Sequence, residues 1–412
     1  MRKAVITGMG VVSPIGNDID TFWASIKAGK SGLGPITRFD AAGFDSRVAA
    51  EVKDFDPSLY MDRKDARKMA LFTQFAVAAA VQAWRDAGLD GSSIDLERTA
   101  VMLGNGIGGI EIFEQSHAKL LESGPSRMLP LTVPMMIGNE AAGNIAIHFG
   151  IKGPVQTAVT ACASGSDAIG QALDMIRVGR ADVVVAGGTE AAISAFAVGS
   201  FCMLKALSTA YNDDPAKASR PFDAARDGFV IGEGAGVMIV ESEEHARARG
   251  ARVIVELAGY GASCDAYHIT APEPSGDGGA RAIALALADA GIDPGQVAYY
   301  NAHGTSTPMN DPIETQMVKK AFGEHAYAMK VSSTKSMTGH MIAAAGAVEA
   351  IVCALAIRDG FFPPTINLET PDEACDLDYV PNLGVSGPIE AAASGSLGFG
   401  GHNACLVLRR YR

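Results

Sequence analysis

Three side chains in this sequence have the chemistry of a nucleophile site. They are Cys162 in "TACASGSDAIGQAL" and two of the eight histidines, His303 in "NAHGTSTP" and His340 in "STKSMTGHMIAAAG". Cys162 stands among Ala161, Ala163, Ser164 and Gly165, directly before apolar residues at helical spacing. At a helix N-terminus the unpaired N–H groups and the positive end of the dipole favour a thiolate, and small neighbours leave an attacking trajectory free. A lone cysteine packs more often as an inert small hydrophobe, and that alternative stays open at this level. Histidines in glycine- and threonine-rich turns complete a cysteine–histidine arrangement. A metal site ranks low, because no third ligand stands at a recognisable spacing.

The elements that must position these groups alternate between β-branched runs and helical patterns. "KAVITG" reads as a strand, a helix starts near Thr21, a long helix is expected over 64–87, and "RTAVMLG" is a strand. Beyond Cys162 a helix runs to about Arg177, and "ADVVVAGGTE" is a continuously apolar strand of the kind buried on both faces. The second half repeats the scheme. "ARVIVELAGYGAS" is a strand, "GGARAIALALADAGI" a helix, "VAYYNAHGTST" a strand and turn, "GHMIAAAGAVEAIVCALAIRDG" a helix and "HNACLVLRR" a closing strand. Cys162 would open one long buried helix and His340 the other. Two α/β halves follow, 1–250 with the cysteine and 251–412 with both histidines, joined without a long linker.

Composition removes other classes. Over 412 residues, 48% are hydrophobic and 19% charged, as in a packed globular enzyme. A net charge of −12 without a long Lys/Arg stripe argues against nucleic acid as a partner. The six scattered cysteines form no C-x-x-C pair, which fits a reducing, cytoplasmic compartment without disulfides. The N-terminus has no secretory h-region, so no leader is expected. "MIAAAGAVEAIVCALAI" is short and contains Glu349, and reads as a buried core helix rather than a membrane span. "GNGIGG" at 104–109 matches a dinucleotide fingerprint, but "EIFEQSHAKLLES" continues as helix where an acidic strand end is needed. A tight turn lining a pocket is the better reading.

Cys162 in "TACASGSDAIG", His303 in "NAHGTSTP", Lys335 and His340 in "VSSTKSMTGH", Glu349 in "GAVEA", Phe399 in "GFGG" and the run "RPFDAARDGFVIGEGAG" together resemble the motif set of elongating β-ketoacyl-acyl carrier protein synthases of type II fatty-acid synthesis. The likeness is collinear over essentially the whole chain. It implies a thiolase-like fold, two pseudo-repeated halves in five α-β-α-β-α layers, working as a homodimer. It implies that Cys162 accepts the acyl chain as a thioester, without a tight base, and that malonyl-carrier protein then loses carbon dioxide and attacks. His303 and His340 would donate to the enolate, and the N–H groups of Cys162 and Phe399 would form the oxyanion hole. Lys335 and Glu349 would be a charged support behind the histidines, Glu349 being costly to bury unpaired.

By the same resemblance Thr270, Thr305 and Thr307 bind the pantetheine arm, Ile107 and Phe201 line the acyl pocket, and Phe399 is a gate. Arg63, Lys64, Arg67 and Lys68, on one face of the expected helix, would dock the acidic carrier protein, with Lys205 adding to them. No cofactor or metal is implied for catalysis. Gly395, Leu397 and His402 stand where the family pattern has Asn, Phe and Thr, and Asn310 where glycine is common. The Asn helps hold a structural cation in the family, so these changes bear on that site and on the pocket. A discrete polyketide ketosynthase remains an alternative. A thiolase would need a second catalytic cysteine, a starter synthase an Asn for one histidine, and a non-catalytic chain-length subunit would lack the nucleophile.

Overall fold

The computed structural model describes residues 1–412. Ten strands make one ladder: β1 (Ala4–Val12), β2 (Thr99–Gly104), β3 (Val155–Ala158), β4 (Val183–Glu190), β5 (Gly234–Ser242), β6 (Val255–Cys264), β7 (Tyr299–Asn301), β8 (Lys330–Ser332), β9 (Ala391–Gly398) and β10 (His402–Arg409). Seven helices have ten or more residues: α1 (Leu71–Asp86), α2 (Ile110–Ser123), α3 (Glu140–Phe149), α4 (Ser164–Arg177), α5 (Asp277–Ala290), α6 (Asn310–Phe322) and α7 (Ala345–Asp359).

Counted from their junction, the first five strands lie in the order β1-β5-β4-β2-β3 and the last five in the order β6-β10-β9-β7-β8. The senses repeat too, antiparallel for the two pairs nearest the junction and parallel for the outer two. Only three residue pairs, Ala4–Leu257, Val5–Glu256 and Ile6–Val255, join the halves edge to edge.

The repeat is written in glycines. A Cβ at Gly8 or Gly10 of β1 would collide with the α1 backbone at Ala83 or Ala79, and one at Gly259 or Gly261 of β6 with the α5 backbone at Ala286 or Ala282. "GMG" and "GYG" therefore let each first strand press directly on its outer helix.

Three apolar cores separate the five layers. Val101, Val185 and Ile239 face α1 and α3 on one outer side. Tyr300, Ala393 and Val407 face α5 and α6 on the other. Between the sheets, α4 and α7 pack with Ile6, Val184, Met238 and Leu406. Residues Ala345–Ile357 of α7 are buried throughout, which explains a helix that is apolar all round without crossing a membrane. No helix is long and apolar enough to do so.

Three expectations need correction. The helix over 64–87 is two pieces, a short Arg63–Ala66 helix and α1, because Ala70 is extended. Tertiary contacts hold that break: the Glu111 carboxylate accepts from the first α1 amide, Leu71, at 3.0 Å, and the Gln74 amide donates to the Ala66 and Met69 carbonyls. The strand in "ARVIVELAGYGAS" begins only at Val255. Cys162 and His340 do not open the two central helices either; each helix follows a 3₁₀ turn, Ala161–Ala163 or Ile342–Ala344, and His340 precedes its turn.

Candidate active site

Ala161, at φ +51°, turns the chain sharply out of the β3 side and aims Cys162 into a cavity of about 470 Å³. The small residues around the cysteine have a structural task that the sequence did not show. A Cβ at Gly165 would lie 2.7 Å from the Ala343 carbonyl oxygen and 2.9 Å from the Ala347 nitrogen, and one at Gly346 would meet the Ser166 hydroxyl. The N-terminal ends of α4 and α7 thus cross at backbone contact, and the open space lies on the other side of Cys162.

His303 follows β7 and His340 follows the short Lys335–Thr338 helix. The Cys162 Sγ lies 3.0 Å from His340 Nε2, and ligand atoms of Cys162, His303 and His340 all lie within 4.8 Å of one another. The imidazoles meet edge to face at 5.1 Å, and Phe229 packs on His340 at 5.3 Å. The His340 amide donates to the Val230 carbonyl at 2.7 Å, which ties the histidine to the segment "RDGFVIGEGAG". Behind them, buried Lys335 Nζ meets buried Glu349 Oε1 at 2.5 Å.

Electrostatics set the resting state. Burial pushes the Cys162 thiol up to about 12, against the opposing pull of Lys335 and the Phe399 amide. On this balance the resting group is the thiol, and an imidazole sits in contact with it, where the sequence expectation had no tight base. Burial, then the Lys335 charge, holds both histidines well below the usual imidazole range, so both are neutral. Glu349 is raised to about 7 by burial, opposed by Lys335. The three donor atoms could surround a soft metal, but both Nδ1 atoms lack the hydrogen-bond partner that supports a ligating imidazole. The arrangement suits a nucleophile flanked by two neutral N–H donors.

Phe399 sits in a turn whose Gly400 and Gly401 have φ of +90° and +78°. A Cβ at Gly398 would lie 2.7 Å from the Thr160 carbonyl oxygen, so this turn packs directly on the nucleophile turn. The N–H groups of Phe399 and Cys162 both act on the sulfur. They are the donors an oxyanion beside Cys162 would meet.

Models of the β-ketoacyl synthase N-terminal domain and C-terminal domain match residues 1–246 and 254–369. The chain belongs to the β-ketoacyl synthase family. It is 51% identical over 409 residues, 99% of each chain, to a 3-oxoacyl-(acyl-carrier-protein) synthase 2 of Coxiella burnetii. It is 50% identical over 411 residues to the protein of that name from a Synechocystis species, covering 100% of this chain and 99% of that one. Among solved structures, a β-ketoacyl synthase from Burkholderia phymatum superposes with a TM-score of 0.93 at 38% identity. A type II polyketide ketosynthase in complex with its acyl-carrier protein superposes with a TM-score of 0.93 at 39% identity. Both cover 100% of each chain.

The β-ketoacyl synthase cavity collects most of the expected residues: Ile107, Cys162, Phe201, Lys205, Thr270, His303, Thr305, Thr307, His340 and Phe399 all line it. Lys335 and Glu349 stand behind it. Arg63, Lys64, Arg67 and Lys68 are exposed and outside it; Arg67 ends the short helix instead of continuing one face, and Lys68 pairs with Asp65. Lys205 is exposed at the cavity and pairs with Asp45 at 3.2 Å.

Three site residues were missed. Phe229 lies in a quoted motif but had no chemistry to mark it. Glu314 of α6 accepts from the His303 and Gly304 amides, both at 2.7 Å, and Glu190 accepts from the Gly106 and Ile107 amides. Their only sequence signal is an acid inside an otherwise structural element, "GGTE" and "NDPIETQ".

The departures also find reasons. The Asn310 amide donates to Glu314 Oε2 at 3.2 Å, reinforcing the carboxyl that holds the His303 turn. Leu397 lines the cavity, and His402 begins β10 beside the Gly400 turn. At Gly395 any Cβ would overlap the Tyr300 hydroxyl, so the tyrosine occupies the asparagine's space. On the opposite face Asn301 Oδ1 and Ser394 Oγ, register partners on β7 and β9, are buried acceptors without a partner, as is Glu349 Oε2. Acceptor oxygens alone fit the hard cation that the family implies, without a side chain at 395.

Proposed function

We propose that this protein elongates acyl chains by decarboxylative condensation on Cys162, in fatty-acid synthesis. The observation that carries the reading is the convergence of the Cys162 sulfur with two buried, neutral imidazoles and two backbone N–H donors at the floor of one cavity.

In the first half-reaction Cys162 Sγ forms a bond to the acyl carbonyl carbon of a pantetheine thioester. The tetrahedral oxyanion is held by the Cys162 and Phe399 amides, the carbon–sulfur bond to pantetheine breaks, and the thiol proton leaves with the pantetheine sulfur. In the second, malonyl-carrier protein loses carbon dioxide, and the electron pair moves into an enolate whose oxygen accepts from the Nε2–H groups of His303 and His340. The enolate carbon bonds to the acyl carbonyl, the same amides hold the second oxyanion, and Cys162 departs and takes up one proton. The product is a 3-oxoacyl-carrier protein. Burial, reinforced by the charge of Lys335 paired with Glu349, keeps both imidazoles neutral and therefore able to donate. A hard cation held by the Asn301 and Ser394 oxygens would stiffen the pairing of β7 with β9.

The acyl chain lies along Ile107 and Phe201, the pantetheine arm along Thr270, Thr305 and Thr307, and Phe399 gates the passage. The substrates bring their own carrier arm, so the chemistry needs no cofactor. An acyl carrier protein, acidic as a class, is drawn to Arg63, Lys64, Arg67, Lys68 and Lys205. A homodimer in the cytoplasm is the working form. β3 ends the sheet with one side unpaired and with Val155 and Val159 exposed, and Phe113, Leu129, Leu131 and Val133 expose further apolar surface. Relatives at 50–51% identity along the full chain favour fatty-acid elongation over a discrete polyketide role.

The test is intact-protein mass after incubation with acyl-carrier proteins of graded chain length. A mass gain that requires Cys162 is expected, and condensation by Cys162→Ala, read as 3-oxoacyl product, would refute the nucleophile. Cys162→Gln should still release carbon dioxide from malonyl-carrier protein while making no condensation product.

A further inference from the structure

Glu190, the last residue of β4, is fully buried and forms no ion pair, and the condensation chemistry gives it no task. Its Oε2 accepts from the Gly106 amide at 3.1 Å, and its Oε1 accepts from the Ile107 amide at 3.4 Å and the Asn105 side-chain amide at 3.3 Å. The Ala343 amide acts on it from the other side. The first group belongs to the turn after β2, the second to the 3₁₀ turn Ile342–Ala344. These turns meet over the carboxyl: a Cβ at Gly106 would lie 2.7 Å from Glu190 Oε2 and 3.5 Å from an Ile342 methyl. Gly106, Ile107 and Ile342 all line the cavity beside Cys162.

We propose, resting on the reading of Cys162 as acyl acceptor, that Glu190 is a positioning residue. Its carboxyl staples the Gly106–Ile107 turn to the Ile342–Ala344 turn, which sets the shape of the acyl chamber beside the nucleophile. With one turn hydrogen-bonded to the carboxyl and the other packed against it, the two cannot close on the acyl chain or spread from it independently. Long or bulky chains are thereby selected by a residue that never touches them.

Two variants separate shape from charge. Glu190→Gln keeps the length, removes the charge and turns one acceptor into a donor facing N–H groups. Glu190→Asp keeps the charge but is one methylene too short to span both turns. The charged and titratable groups facing Cys162 are Glu190, Lys335, His303 and His340. Both histidines stay neutral and Glu190 ionises only above about 8, so above that pH a change at Glu190 reads directly on the sulfur. Iodoacetamide alkylation of Cys162 against pH should show its inflection moved to lower pH in Glu190→Gln and unmoved in Glu190→Asp. Acylation rates across a chain-length series should change their order in both variants.

In the unaltered protein the Gly106, Ile107 and Ala343 amides should exchange hydrogen slowly although they border a cavity, a measurement that needs no variant to fold. Rapid exchange there, or variants that keep both the wild-type alkylation profile and the chain-length order, overturns the assignment. If the unaltered protein forms no acyl adduct at all, the acyl-acceptor reading falls, while alkylation and exchange still decide whether Glu190 holds the turns.

Discussion

The two halves share one plan and divide the chemistry between them. Each reaches its central helix through a 3₁₀ turn opened by a non-glycine residue at positive φ, Ala161 at +51° and Ile342 at +45°. The second residue of that turn is Cys162 in one half and Ala343 in the other. The parallel ladders pair Gly104 with Gly188 and Asn301 with Ser394, so two residues past these strands Gly106 corresponds to His303. In each half a buried carboxyl holds two successive amides there, Glu190 those of Gly106 and Ile107, Glu314 those of His303 and Gly304. At both positions one half carries the reactive group and the other a small residue. The Ala343 amide is among the groups that favour the ionised Glu190 carboxyl, whereas the corresponding Cys162 amide acts on the sulfur. A duplicated frame supplies one working turn because the corresponding amide faces a carboxyl in one copy and the nucleophile in the other.

The strongest way to break this comparison is Cys162→Ala, which makes both turns alike; condensation should fall by at least about 10³-fold. Adding Ala343→Cys should restore no acyl adduct in intact-mass measurements, since that side chain is buried and its amide engaged. Glu314→Gln should cost condensation and malonyl decarboxylation about 10- to 100-fold, by loosening the His303 turn, while acyl transfer to Cys162 changes less; separate assays of the two half-reactions check this. Lys335→Met leaves Glu349 buried without its cation and should cost about 3 kcal/mol in denaturant unfolding, where an exposed lysine such as Lys64 costs almost nothing.

Stability should also report the two amide-gripping carboxyls. Burial raises Glu190 to about 8 and Glu314 to about 7, above their unfolded value, so the folded state binds more protons than the unfolded state in that range. Their contribution is fully present below pH 4.5, where the unfolded carboxyls are protonated too, and is lost as pH rises from there through 7 to 8. The two histidines act oppositely: held neutral by burial, they lose stability as pH falls below about 6.5, where the unfolded chain protonates them. Thermal unfolding over a pH series should therefore be highest at or below about pH 6.5 and decline toward pH 8, and a peak above pH 8 would contradict the carboxyl shifts. The smallest effect belongs to the exposed basic turn. Arg67→Glu with Lys68→Glu should lower kcat/KM for carrier-bound acyl groups by roughly 3- to 10-fold, less at high salt, and leave transfer from acyl-pantetheine unchanged.

Local spacing was enough for much of this molecule. The alternation of strand and helix, the buried "ADVVVAGGTE" strand and the core character of α7 follow from patterns a few residues long, while the joining of Cys162, His303 and His340 in one site rests on the resemblance of motifs along the whole chain. The correspondence of "GMG" with "GYG" emerged only from packing, which showed that both admit an outer helix.

What the sequence by itself could not determine depends on residues brought close from far along the chain. Glu111 and Gln74 break the helix before Leu71, and Tyr300 fills the space beside Gly395. Glu190 and Glu314 reach amides 83 and 11 residues away. The same holds for reactivity: a helix N-terminus favours a thiolate, yet burial pushes Cys162 up to about 12, because desolvation depends on everything packed around the sulfur and the dipole only on the turn that carries it.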